Sequence, residues 1–133
     1  MTATITYTGS LHTTAVHTLS GTTIATDAPR DNNGLGEAFS PTDLVATALG
    51  SCMLSIMGIK ARQMNIAIEG TTVEINKIMV ADPRQIGEIE VTLHFPTNGY
   101  TDKDKKILEH SAMTCPVMLS LHPDVKKTVS FVW

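Results

Sequence analysis

The segment that most constrains this chain runs from Ser40 to about Met64, SPTDLVATALGSCMLSIMGIKARQM. It opens with a dense set of helix-start signals. Ser40 suits the N-cap, Pro41 the first helical position, and Asp43 can close a capping box back onto Ser40. Leu44, Val45, Ala48, Leu49, Cys52, Met53, Ile56, Met57 and Ile59 recur at three-and-four spacing, which predicts one apolar stripe facing a core. Lys60 and Arg62 fall near the end, where cations suit the helix dipole. Such a helix is about twice the mean of roughly 11–12 residues, so the rest of the chain must be arranged to cover it.

The flanks read mainly as strands. Thr4 to Thr8, Leu11 to Leu19 and Thr22 to Thr26 are β-branched runs, punctuated by Gly9-Ser10 and Ser20-Gly21. They are thin in large apolar residues, so their sheet needs a second face from another chain or the long helix. Asp27 to Phe39, with Pro29, Asn32-Asn33-Gly34 and Gly36, reads as a loop. After the helix, Ile66 to Val80 reads as a strand broken or bulged near Gly70, and Ile86 to Phe95 as the next, with a turn at Ala81-Asp82-Pro83-Arg84. Glu88 to Phe95 alternates polar and apolar, as a half-solvated strand does. Thr101 to Asp104 caps a second helix that runs to Ser111 or Ala112. Pro116 starts a short third helix with Cys115 at its N-cap, and Thr128 to Trp133 closes the chain as a strand. In 133 residues this is one domain, residues 1–133. The order βββ-α-ββ-αα-β, with strands grouped at both ends, describes an α+β fold with antiparallel sheets around a long central helix.

Charge and composition narrow the function. The net charge is −3, and the densest basic cluster, Lys103, Lys105 and Lys106, is interleaved with Asp102 and Asp104. Phosphate backbones need concentrated positive charge, so no nucleic-acid partner is expected. MTATITYTGS lacks the features of a signal peptide, and no uninterrupted apolar run approaches the ~18 residues of a membrane span. The expected setting is cytoplasmic, with no membrane partner. Two cysteines, Cys52 and Cys115, have little use there as a structural disulfide. Zinc is also a poor fit: neither has a CxxC partner, and His12, His17, His94, His110 and His122 show no ligand spacing. No metal and no cofactor is expected.

A cysteine that reduces peroxides must be a thiolate in a dry pocket, near a second thiol that resolves its sulfenic acid. Cys52 falls on the buried stripe beside the small residues Gly50 and Ser51, and Cys115 at a helix start. A buried free cysteine is also commonly inert packing. Composition and spacing leave both readings open.

The string Ser40-Pro41-Thr42-Asp43-Leu44-Val45-Ala46-Thr47-Ala48-Leu49-Gly50-Ser51-Cys52 resembles the long-helix motif of the OsmC/Ohr family, N/S-P-x-E/D-L-x-x-A-A-x-x-x-C, which presents a reactive cysteine. Thr114-Cys115-Pro116-Val117 resembles that family's C-P-V/Y motif with the resolving cysteine. With the stretch between them and the closing strand, the resemblance covers the whole chain. It implies an intertwined homodimer, with sheets built from both chains around paired long helices and two active sites at the interface. It also implies reduction of a small organic hydroperoxide through a Cys52 sulfenate, resolved by Cys115 as an intramolecular disulfide. An external dithiol, a lipoylated protein in the best-known branch, then restores both thiols.

The chain departs from the family at the groups that hold the thiol ionised. The family's Glu, ten residues before the cysteine, is Thr42 here, and Asp43 stands one step on with a shorter side chain. Where one branch takes an Arg from an N-terminal strand, Met1 to Pro29 contains no Lys or Arg; where another takes it from the loop before the helix, this chain offers Arg30. His12 and His17 are weaker sources of positive charge. The candidate catalytic set is therefore Cys52, Cys115, Arg30 and Asp43. The alternative is an OsmC-like protein that binds a small apolar molecule at the dimer interface, with weak peroxidase activity or none.

Overall fold

In the computed structural model, which describes residues 1–133, the chain divides into two compact units, Met1–Val45 and Ala46–Trp133. The first is an antiparallel meander of β1 (Ala3–Gly9), β2 (His12–His17) and β3 (Thr23–Asp27), in that order. The β1–β2 turn carries positive φ at Gly9, Ser10 and Leu11, and the register slips between Tyr7 and Gly9. The β2–β3 register sets His12 opposite Asp27. The loop beyond folds back on the sheet: the Asp27 amide donates to Phe39 O (3.1 Å), Ala28 to Leu11 O (3.2 Å) and Gly36 to Ala28 O (3.3 Å). A single 3-10 turn, Arg30–Asn32, ends at Asn33 in the left-handed region.

The shortage of apolar side chains in these strands has the expected consequence. Thr26, Asp27 and Ser40 are the buried residues of this unit, and all are polar; the buried apolar residues begin at Ala46. Ile5 and Tyr7 are 68% and 65% exposed. A small sheet with no covered apolar face is marginal by itself.

Helix α1 (Pro41–Gln63) begins as its sequence dictates. The Asp43 amide donates to Ser40 Oγ (3.1 Å) and the Ser40 amide to Asp43 Oδ2 (2.9 Å), a complete capping box. It ends in a Schellman motif: the Ile66 amide reaches Ala61 O, the Asn65 amide reaches Arg62 O, and Asn65 adopts φ 55°. The buried stripe is narrower than the spacing suggested. Ala46, Leu49, Gly50, Met53, Met57 and Ala61 are buried, whereas Val45, Ala48 and Ile59 are exposed. Although interrupted by Gly, Ser and Thr, the helix is long and apolar enough on average to cross a membrane, which a count of uninterrupted apolar residues missed. Here Leu49, Met53 and Met57 are committed to a protein core.

The sheet of the second unit runs β4 (Thr72–Val80), β5 (Gln85–His94), β6 (Lys126–Val132). β4 starts at Thr72 rather than Ile66, because Asn65 and Gly70 both take positive φ and the Thr71 amide turns back to Ile68 O. β4 and β5 pair antiparallel, with the expected turn between them and a bulge that leaves Gly87 unpaired between the Ile78–Glu88 and Met79–Ile86 pairs. β6 corrects the expectation of antiparallel pairing throughout: it lies parallel to β5, Glu88 opposite Lys126 and His94 opposite Val132. Parallel neighbours need a crossover, supplied by α2 (Asp102–Met113) and α3 (Pro116–Ser120). The capping box at Thr101 and Asp104 is present, with bonds of 3.1 and 3.0 Å. Ile89, Val91 and Leu93, alternating along β5, join Leu49, Met53 and Met57 of α1 and Leu108 and Ala112 of α2 in one buried cluster. Gly50 lets the helix approach β4: a Cβ there would lie 2.9 Å from Ile75 Cδ1 and 3.1 Å from Val73 Cγ1.

The loop of the first unit is equally intolerant at Gly34, where a Cβ would lie 1.6 Å from Ala28 O. Main chain cannot escape by changing rotamer. Gly34→Ala is expected to cost about 1–3 kcal/mol in urea-induced unfolding; an unchanged midpoint would show that the loop yields freely.

Candidate active site

Cys115 caps α3. Its backbone is extended (φ −66°, ψ 150°), Pro116 takes the first helical position, and the Met118 amide donates to Cys115 Sγ at 3.4 Å. The residue is completely buried. Cys52, midway along α1, is half-buried and packs against the same cluster. The two free thiols share one core cluster and feel each other electrostatically, Cys52 raising the proton affinity of Cys115.

Their environments make the pair unequal. Burial pushes the Cys115 thiol above the ordinary cysteine value. The Met118 amide opposes this, while the neighbouring Cys52 reinforces it. Cys115 therefore keeps its proton at neutral pH. It is the protonated, enclosed partner of a more open sulfur, the division of labour that a resolving thiol and an attacking thiol need.

The other two candidates lie in the first unit, each engaged locally. Arg30 is exposed, its Nε donates to Leu35 O at 3.0 Å, and its stem passes 3.2 Å from where a Gly36 Cβ would stand. Asp43 Oδ2 receives the Ser40 amide in the capping box.

A family model described as OsmC-like protein matches residues 34–130. The chain belongs to the OsmC-like protein family. Among solved structures it is similar to a Psychrobacter arcticus 273-4 protein provisionally named for osmotic stress induction and a detoxification response (TM-score 0.94, 52% identity, covering 98% of this chain and 95% of that one). Its fold is also that of an organic hydroperoxide resistance protein OsmC from Legionella pneumophila (TM-score 0.78, 19% identity, 100% and 98% covered). The same holds for the organic hydroperoxide resistance protein OhrB of Bacillus subtilis (TM-score 0.71, 16% identity, 98% of each chain). No curated protein sequence matches the chain.

One cluster in this OsmC-like protein escaped sequence reasoning. His12, weighed from the sequence only as a weak source of positive charge, stands with Nε2 3.4 Å from Asp27 Oδ1 and 3.5 Å from Glu37 Oε2. The Glu37 amide donates to Asp27 Oδ2 at 2.8 Å. That bond, assisted by His12 and by the Ala28 and Gly36 amides against the opposing effect of burial, holds the Asp27 carboxyl below the ordinary aspartate value. The signal lay in strand register, which pairs His12 with Asp27, and not in any local spacing.

The inequality of the thiols has a direct test. In the folded protein at pH 7.5, iodoacetamide is expected to label Cys52 at least ~10-fold faster than Cys115, read by peptide mass mapping. In Cys52→Ser, Cys115 labelling should stay slow until the pH passes the ordinary thiol range of about 8.5. Equal rates at the two sites would contradict the arrangement.

Proposed function

We propose that this OsmC-like protein is a thiol peroxidase for organic hydroperoxides, with Cys52 as the attacking sulfur and Cys115 as the resolving one. The observation that carries the reading is the unequal pair of free thiols at one core cluster, Cys115 buried and Cys52 more open. The Cys52 thiolate attacks the outer peroxide oxygen; the O–O bond breaks, a proton converts the alkoxide to the alcohol, and Cys52 becomes a sulfenic acid. The Cys115 thiol then attacks that sulfur, the S–O bond breaks, water leaves and a disulfide remains. An external dithiol reduces the disulfide by two exchange steps and leaves as its own disulfide. Neither a metal nor a cofactor is required. Two thiols kept reduced, with a dithiol as electron source, suit a cytoplasmic setting.

A half-buried thiol needs positive charge nearby to ionise well at neutral pH. In this reading Arg30 supplies it, oriented by Asp43, once the Arg30–Leu35 bond is released. Stopped-flow reaction with an organic hydroperoxide tests the roles separately. Cys52→Ser should abolish the reaction, and Cys115→Ser should spare the first oxidation but prevent disulfide formation. Arg30→Ala should slow it at least ~10-fold, about 1.4 kcal/mol of barrier. Equal rates for wild type and Arg30→Ala would remove Arg30 from the mechanism; a wild type no faster than a free thiol would overturn the peroxidase reading. A second reading draws support from the local ties of Arg30 and Asp43: a protein that binds a small apolar molecule at a subunit interface with little or no peroxidase activity.

The working unit in this proposal is an intertwined homodimer. Support comes from the exposed apolar side chains of the first unit and from the exposed face of α1 formed by Ala48, Ser51, Ser55 and Ile59, whose mostly small residues permit close helix contact. Sedimentation should give a dimer at micromolar concentration, as expected for a permanent interface above ~2,000 Å². Ser55→Arg should shift it toward monomer, and a folded wild-type monomer would refute the assembly.

A further inference from the structure

Three groups that ligate metals converge in the first unit, and their placement is specific. Asp27 is completely buried, and its Oδ1 has no hydrogen-bond partner. A buried, ionised carboxylate oxygen is costly unless a cation answers it. Its other oxygen is fixed by the Glu37 amide, so the carboxylate cannot turn to satisfy Oδ1 elsewhere. Oδ1 points at His12 Nε2, 3.4 Å away, and the same nitrogen lies 3.5 Å from Glu37 Oε2. One donor atom from each of His12, Asp27 and Glu37 lies within 4.8 Å of the others.

We propose that His12 Nε2, Asp27 Oδ1 and Glu37 Oε2 form a binding site for a divalent zinc-type cation. A tetrahedral zinc with bonds of about 2.0–2.2 Å separates its ligand atoms by about 3.3–3.6 Å. The two distances from His12 fall in that range. One imidazole and two carboxylates are a donor set zinc accepts, and with neutral His12 their charge of −2 matches the ion. The three ligands leave a fourth position, as in zinc sites open to water or another ligand. The outer support is present too: the Glu37 amide orients the Asp27 carboxylate, as groups behind metal ligands commonly do. Half-buried His12 and exposed Glu37 form the open side, through which an ion enters; Glu37 has the freedom to close on it.

An alternative cation is a proton on His12, which would bridge the two carboxylates in place of the metal. Zinc titration of the chelator-stripped full-length chain, in competition with a chromophoric chelator, separates the two. Because thiols also bind zinc, the titration is done in the Cys52→Ser/Cys115→Ser background. The proposal expects one zinc per chain at pH 7.5, weaker binding at pH 5.5 because an imidazole ligand must give up its proton, and retention of the site in that background. His12→Gln and Glu37→Gln should each weaken binding at least ~10-fold, since losing even a supporting group costs 10–100-fold. Asp27→Asn is the sharper variant but disturbs a buried position, so the other two carry the test, with circular dichroism confirming that they fold. Stoichiometry far below one, affinity unchanged in folded His12→Gln, or zinc binding that vanishes with the two cysteines would each overturn the site.

Discussion

The structure depends on the seam where α1 meets β5. Leu49, Met53 and Met57 recur on one side of the helix, and Ile89, Val91 and Leu93 on one side of the strand; each of the six is at most 1% exposed. Fully burying one such side chain contributes about 1.5–3 kcal/mol, so six of them outweigh any single cap or ion pair in the chain. The seam also positions the chemistry. Cys52 stands next to Met53 and about a quarter turn from the deepest face, leaving it half-buried against the core. α2 and α3 are held on the same cluster through Leu108, Ala112 and Met118, and Cys115, between the two helices, is a buried member of it.

Cys115 illustrates how one residue can serve structure and reactivity together. A helix start needs an acceptor for its first amides, usually an oxygen. Sulfur is a weak acceptor, so the Met118 bond offsets only part of the cost of burial, and the thiol stays protonated. A serine would cap better but could not form a disulfide. Pro116 removes one amide that would otherwise need an acceptor, which reduces what the weak cap must do.

What was legible in the sequence was what short-range physics decides. Ser40, Pro41 and Asp43 announced α1; Thr101 and Asp104 announced α2; Pro116 placed Cys115 at a cap. The alternation from Glu88 to Phe95 identified the buried face of β5. The misreadings have one local cause and two long-range ones. Ile66 to Ile68 look like strand, but Asn65 terminates the helix by turning the chain, and Gly70 turns it again before pairing begins. The parallel setting of β6 follows from the crossover through α2 and α3, about which the β6 sequence says nothing. The breadth of the α1 stripe was overestimated because periodicity marks a face as apolar without saying how much of it one chain can cover.

The first unit poses the opposite problem, because what it buries is polar. Asp27 sits with no exposed surface in a sheet that lacks an apolar core of its own. A residue chosen only for stability there would be apolar, given the cost of burying a carboxylate. The arrangement instead secures the charge: one oxygen takes the Glu37 amide, the other faces His12, and the loop that carries Glu37 is closed by main-chain bonds from Asp27 and Gly36 and by Arg30 on Leu35. Because the Asp27 carboxyl titrates below its ordinary value in the folded chain, its contribution is present above the unfolded value and is lost as the pH falls through the lower, folded one. The stability of this unit is therefore tied to a negative charge and to whatever cation faces it. A hydrophobic core would stabilise the loop whatever its surroundings, whereas a buried carboxylate makes its order depend on the ions and protons around it.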